Sequence, residues 1–169
     1  FSFYGVDTII RIGSAGAIDP SLKIGDIVVA VSSCTTSSYG AQYHLPGSFA
    51  PTADFDLARR AVELCEQKGF RHKAGTVLCS DWFYDESQGL PEWQKMGVLA
   101  VEMESAALFV VAAALKCRCG ACFHGIWNQE REAAGLDQDM SEDTTSAVQV
   151  GVEALKRLSA ADRFSMEIQ

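Results

Sequence analysis

Val101-Glu102-Met103-Glu104-Ser105-Ala106-Ala107 places two carboxylates where an apolar strand, Gly97 to Val101, meets an apolar helix running through Leu108-Phe109-Val110-Val111-Ala112-Ala113-Ala114-Leu115. The helical segment is too apolar for a surface position, so it must be buried against other structure, and glutamates at its threshold need partners. Two explanations stand side by side for Glu102. A carboxylate near a helix start is favoured by the helix dipole, or the pair faces a ligand rich in hydroxyls. Glu104 fits the second better, because it stands beside Met103. A thioether next to an ionised acceptor suits the apolar face and paired hydroxyls of a sugar ring.

The preceding chain alternates strands and helices. Asp7-Thr8-Ile9-Ile10-Arg11-Ile12 is a β-branched run without polar alternation, the pattern of a strand buried on both faces. It is expected to end in a turn at Gly13-Ser14-Ala15-Gly16. Arg11 interrupts it, and a guanidinium there needs either a core carboxylate or an oxyanion. As an oxyanion site, Arg11 supplies a planar fork of donors, Ser14 a hydroxyl, and Gly13 close backbone approach. After turns at Asp19-Pro20 and Gly25-Asp26, Ile27 to Ser32 reads as a second buried strand. Cys34 to Ala53 is a long polar connection expected to fold over a site or a subunit boundary.

Asp54 is a plausible N-cap for a helix whose apolar face is Leu57, Ala58, Ala61, Val62, Leu64 and Cys65, stopped by Gly69. His72 to Ser80 is the next strand and runs into Asp81-Trp82-Phe83-Tyr84. Those three aromatics form either a rim of the core or a stacking platform for a planar base. A short helical turn follows at Pro91–Met96. Gly120 to Trp127 is a further strand with Asn128-Gln129-Glu130-Arg131-Glu132 at its exit, and Thr144 to Leu158 a last helix. Arg11, Ser14, Phe83, Met103, Glu104, Asn128 and Gln129 thus all fall at ends of expected strands or at the helix start that follows. In open α/β sheets that is where ligands bind.

A chain of 169 residues, 48% hydrophobic, can build a sizeable core, and it is expected to form one domain over residues 1–169. No stretch approaches the ~20 uninterrupted apolar residues of a membrane span. A net charge of −8 argues against nucleic acid or an anionic membrane as partner. Cysteines 34, 65, 79, 117, 119 and 122 lie in apolar segments without the spacing of a disulfide framework, so free buried thiols in the cytoplasm are expected. Cys117, Cys119 and Cys122 have no second cluster to complete a metal site, and none is expected. The chain opens on Phe1 without a basic leader, which suggests that it begins in mid-fold.

Arg11 to Ile18, Lys23 to Val29, Phe49 to Leu57, Ser80 to Tyr84 and Val101 to Ala106 resemble, in order and over nearly the whole chain, the nucleoside phosphorylase family of uridine phosphorylase and the hexameric purine nucleoside phosphorylases. The resemblance implies an α/β fold with a central mixed, strongly twisted sheet flanked by helices in three layers. It also implies reversible phosphorolysis of a nucleoside to free base and (deoxy)ribose-1-phosphate, without metal or organic cofactor, inorganic phosphate being a co-substrate. The family assembles as dimers or as hexamers built from dimers. Carried over by position, Arg11, Gly13 and Ser14 hold phosphate. Glu104 accepts from the ribose hydroxyls, with Met103 and Glu102 against the sugar, and Phe83, Asn128 and Gln129 meet the base. Arg11, Glu104 and Asn128 are the catalytic candidates.

Where the purine enzymes carry a proton-donating Asp, this chain has Asn128, an amide that cannot hand over a proton. With Trp93 to Gly97 and Ile126 onward, this favours uridine as substrate. Phe49 to Leu57 leans toward the purine enzyme, the alternative. The uridine branch's Gln-x-Arg pair after Phe-Tyr is not reproduced after Phe83-Tyr84, and the family's N-terminal third, with its glycine-rich phosphate loop, has no counterpart here. A non-catalytic nucleoside-binding relative is the reading from another class.

Overall fold

The computed structural model describes residues 2–128, 134–135 and 145–166. Among the described residues are five strands, β1 (Thr8–Ala17), β2 (Ile27–Thr35), β3 (His72–Cys79), β4 (Ala100–Glu102) and β5 (Arg118–Asn128), and the helices α1 (Phe55–Lys68) after β2, α2 (Leu90–Lys95) after β3, α3 (Ser105–Leu115) after β4 and α4 (Thr145–Met166) after β5. The order around the sheet is β1-β4-β3-β2-β5, closing back on β1. β1 runs parallel to β5, β2 to β3 and β3 to β4, while the β2/β5 and β1/β4 pairs are antiparallel. The expected mixed α/β sheet with flanking helices is therefore present, and its strands close into a ring. Bulges bring this about: β1 shifts register between Ala15 and Gly16 and β2 between Ala30 and Ser32, and each kink increases local twist.

The turn expected at Gly13–Gly16 is absent, and β1 continues to Ala17. Its ladder with β5 runs from Thr8↔Arg118 to Ala17↔Asn128. The glycines serve packing instead. A side chain on Gly16 would come within 2.5 Å of Trp127, whose ring lies over that position.

The alternation of strand side chains sorts most of the core into two clusters, beside a smaller one of Ile18, Leu78 and Val98. Ala15, Val28, Ala30, Val77, Cys119, Ala121 and Phe123 pack with Phe109 and Ala112 of α3. Ile27, Val29 and Cys122 pack with α1 and with Val150 and Ala154 of α4. Cys119 and Cys122 thus leave β5 on opposite faces. In α4 one stripe is covered: Ala147, Val150 and Ala154 are buried, whereas Val148 and Val152 are exposed. The last turn of α3 is also exposed at Leu115, so that helix is less enclosed than its composition predicts. No helix among the described residues is long and apolar enough to cross a membrane.

Both predicted stops of α1 are in place. The Asp54 carboxylate accepts from the Leu57 N–H at 2.9 Å, and Gly69 takes the left-handed conformation at φ 69°. The Gly25-Asp26 turn is fixed by Asp26, which is buried and accepts from the Lys23 N–H at 2.9 Å and from Arg71 at 2.8 and 3.0 Å. Burial pushes this carboxyl upward, but the Arg71 guanidinium and the Lys23 N–H outweigh it and hold Asp26 below the usual carboxylate range. A depressed folded value means that the stabilisation is present above the ordinary value of about 3.9 and is lost as pH falls through the folded one. Asp26→Asn is accordingly expected to flatten the acid limb of a stability–pH curve below about pH 4, at a cost of about 1–3 kcal/mol at neutral pH, read by urea denaturation.

Burial also sets the thiols. It pushes Cys65 and Cys79 up to about 11 and Cys119 and Cys122 up to about 12, while Cys34 and Cys117 are only half-buried. A thiol reagent at neutral pH is expected to label at most Cys34 and Cys117 rapidly, the other four reacting only after denaturation. Mass mapping of the labelled peptides checks this.

Candidate active site

The centre of the candidate site is Arg11. Its strand position is level with Ala121 of β5, and its guanidinium lies over the Phe123 ring, 5.3 Å from the centroid. Ile10 and Ile12, on the other face of β1, meet Gly151 of α4. The run that reads as apolar on both sides is therefore split, with isoleucines toward the helices and the arginine toward the glutamates. Gly13, two residues on and on the same face, leaves the space the guanidinium fills: a Cβ there would lie 3.1 Å from Arg11 Nη1. Gly13 makes room for the arginine first, and only through it for a ligand.

Arg11 binds both acids. Its Nη2 donates to Glu104, and its Nε lies 3.5 Å from Glu102 Oε2. The two glutamates nevertheless have different environments. The Glu102 side chain is fully buried and accepts the N–H groups of Glu104 at 2.9 Å and of Ser105 at 3.0 and 3.1 Å, together with the Ser105 hydroxyl. Those N–H groups open α3 and have no partner within the helix, so Glu102 neutralises the positive end of its dipole. Glu104 begins the same helix without capping it and leaves 58% of its side chain exposed, with Arg11 as its ion-pair partner. Glu102 is committed to the protein, and Glu104 is available to a ligand. Met103, between them, is partly exposed at 39%.

Other elements converge on this junction. The Ser80 N–H, at the end of β3, donates to the Glu102 carbonyl at 2.8 Å, which sets the Asp81–Tyr84 segment beside the glutamates. Ser33 of β2 shares a 2.9 Å hydroxyl bond with Ser105. Trp82, Phe83 and Tyr84 are exposed, Phe83 at 72%, and Phe83 meets Tyr84 edge to face with centroids 5.0 Å apart. They are not a rim of the core, which leaves an aromatic surface open to a planar group.

Two expected members are not brought together with Arg11. Ser14 lies an odd number of positions from it in β1, in register with His124, and makes no hydrogen bond to the Arg11 group among the described residues. Asn128 is level with Ala17, roughly 20 Å along the strand from the level of Arg11. It is buried, and its Nδ2 donates to the Leu22 carbonyl at 3.0 Å. Gln129 lies outside the described residues. Sequence reading passed over His124, which stands in the apolar run Cys122-Phe123-His124-Gly125. It is buried with neither ring nitrogen hydrogen-bonded, an arrangement that costs about 1–3 kcal/mol for an unsatisfied polar group. A titratable residue inside a buried strand was the signal available.

An arginine shared between a committed and an exposed glutamate, at the start of an apolar helix and beside open aromatics, is the arrangement against which known families can be compared. Residues 2–161 match the family model described as the phosphorylase superfamily. The chain belongs to the phosphorylase superfamily. It is 44% identical over 115 residues to the DeoD-type purine nucleoside phosphorylase of Geobacillus kaustophilus, an alignment covering 68% of this chain and 49% of that protein. The DeoD-type purine nucleoside phosphorylases of Anoxybacillus flavithermus and Clostridium novyi are 41% and 39% identical over 110 and 111 residues. Each of those alignments covers 65% of this chain, with 47% and 48% of the respective relative. This superfamily chain thus spans about half the length of the curated relatives it matches. All three are named as purine nucleoside phosphorylases, so the uridine preference expected from Asn128 has less support than its purine alternative.

Proposed function

We propose that this chain carries the sugar-binding part, and one cationic phosphate ligand, of a purine nucleoside phosphorylase. The observation that carries the proposal is the Arg11–Glu104 pair: a fork of donors next to an exposed charged acceptor, with a thioether and open aromatics alongside. Without ligand the two groups neutralise each other. Phosphate takes over the Arg11 donors, and the freed Glu104 carboxylate accepts from vicinal sugar hydroxyls. A phosphate oxygen then bonds to C1′ as the bond from C1′ to the base nitrogen breaks, the base leaving with the electron pair and taking a proton. Positive charge developing on the sugar lies between phosphate and Glu104, where two negative groups favour it. Glu102, already neutralised by the α3 N-terminus, contributes position instead of charge.

The purine reading rests on the relatives' names and on the stretch from Phe49 to Leu57. The pyrimidine reading is favoured by one observation, the amide at Asn128. One N–H of that amide donates to the Leu22 carbonyl, which fixes the side chain at the end of β5. We assign it no proton transfer. Phe83 contacts the base in this scheme; Ser14 stands three positions from Arg11 on the other face of β1, and we assign it no contact with phosphate. The test is release of free base by the full-length protein from inosine, guanosine, adenosine and uridine, with and without phosphate. Phosphate-dependent purine release is expected. Release of uracil alone overturns the purine assignment, and turnover without phosphate, or none at all, overturns phosphorolysis.

A further inference from the structure

Phe123 is assigned no part in the reaction proposed above, yet it stands against the cation on which that reaction depends. Arg11 is level with Ala121 of β5, and Gly13, two residues on and on the same face of β1, is level with Phe123. Because Gly13 has no side chain, the Arg11 guanidinium folds along its own strand into that space, where a Cβ would lie 3.1 Å from Nη1 and 3.2 Å from Nη2. Its central carbon there lies over the Phe123 ring, 5.3 Å from the centroid, inside the roughly 6 Å over which an aromatic face attracts a cation. The ring is fully buried and packed in one cluster with Phe109 and Ala112 of α3, so its own place is fixed by the core.

We propose that Phe123 is a positioning residue for Arg11, whose guanidinium it holds by its ring face in the place where phosphate is bound. What sets the ring apart is that its contact survives ligand binding. Glu104 is 58% exposed, and in the reaction above it leaves Arg11 for the sugar hydroxyls. Glu102 lies 3.5 Å from Nε, the long limit of a hydrogen bond, and its carboxylate is already engaged by the N–H groups that open α3. With Glu104 gone, that distant edge alone does not fix a long side chain. The ring contact runs through the guanidinium carbon and takes up no N–H, so the in-plane Nη donors stay free for the oxygens of an anion. Arg11 is itself largely out of water, which strengthens the attraction. This rests on the assignment of Arg11 to phosphate, and it adds a residue that acts through Arg11 without touching substrate.

Steady-state rates of the full-length protein, with inorganic phosphate varied at saturating nucleoside, test it in a series that carries phenylalanine or its mono-, di- and trifluorinated forms at position 123. Each fluorine draws electron density from the ring face and weakens its hold on a cation while nearly keeping the ring's shape, which a truncation such as Phe123→Leu in a fully buried place does not. The phosphate KM is expected to rise with each fluorine, by about tenfold over the series, the order of a desolvated cation–π contact, while the nucleoside KM moves by less than about twofold. A ring that served packing alone would shift the melting temperature and both KM values together. A phosphate KM that stays flat along the series, or that moves in parallel with the nucleoside KM, overturns the proposal. Calorimetric titration of the same proteins with inorganic phosphate needs no turnover, and binding is expected to weaken in the same order. Weakening in a protein that releases no base would fail the phosphorylase reading alone, and full turnover with a flat series would fail the role of Phe123 alone.

Discussion

Glu104→Ala is expected to lower kcat/KM by about 10²–10³ and to leave thermal stability nearly unchanged. The first half follows from the sugar contacts assigned to this carboxylate. A hydrogen bond to a charged group contributes about 1.5–3 kcal/mol, two vicinal hydroxyls share the acceptor, and each ~1.4 kcal/mol is a factor of ten. The second half follows from exposure. The Glu104 side chain is 58% exposed and does not cap its helix, and an ion pair that open to water is worth about 0–1 kcal/mol. Glu104→Gln should fall between wild type and Glu104→Ala, because it keeps one acceptor oxygen but loses the charge that favours a cationic sugar in the transition state. Initial rates at varied nucleoside, with thermal melts of the same preparations, check both halves. A Glu104→Ala protein within about threefold of wild type in kcat/KM would remove this residue from the sugar site.

The helical framework was legible in the chain because its signals are local. Asp54, Gly69 and the spacing of Leu57, Ala58, Ala61, Leu64 and Cys65 delimit α1 without reference to anything distant, and the structure has the cap and the stop at those positions. Arg11 with a core carboxylate or an anion was also readable, since a guanidinium in a buried run has few other options. The path of β1 was not. Gly13-Ser14-Ala15-Gly16 carries the composition of a turn, but β5, more than a hundred residues away, supplies a ladder that keeps the segment extended. Trp127 and the Arg11 side chain then occupy the space the glycines leave. Closure of the sheet escaped for the same reason, since it depends on which strands meet and not on any one strand's composition. The equal treatment of Glu102 and Glu104 also needed coordinates. Two carboxylates two residues apart at a helix start have the same local chemistry in a sequence, and only the burial of one and exposure of the other separates capping from binding.

That separation makes Glu102 the position where the fold should suffer most. Its side chain is fully buried and takes the first N–H groups of α3, the Ser105 hydroxyl and the edge of Arg11. Truncation to alanine strands the Glu104 and Ser105 N–H groups in a site that excludes water, opens a void beside Ser33 and Ser105, and leaves the helix dipole without its counter-charge. Unsatisfied buried donors cost about 1–3 kcal/mol each, so Glu102→Ala is expected to lose about 3–5 kcal/mol, a third or more of a typical domain's stability. At about 2–4 °C per kcal/mol, the melting temperature should drop by roughly 6–20 °C. Glu102→Gln retains an oxygen for the two N–H groups, and its new amide can donate to the Ser105 hydroxyl, so it should recover more than half of the loss. Chemical denaturation of the full-length protein followed by far-UV circular dichroism measures the difference. If Glu102→Ala unfolds at the same denaturant concentration as Glu104→Ala, the carboxylate is not what holds the start of α3. A binding role for Glu102 would then be the better account of why it is there.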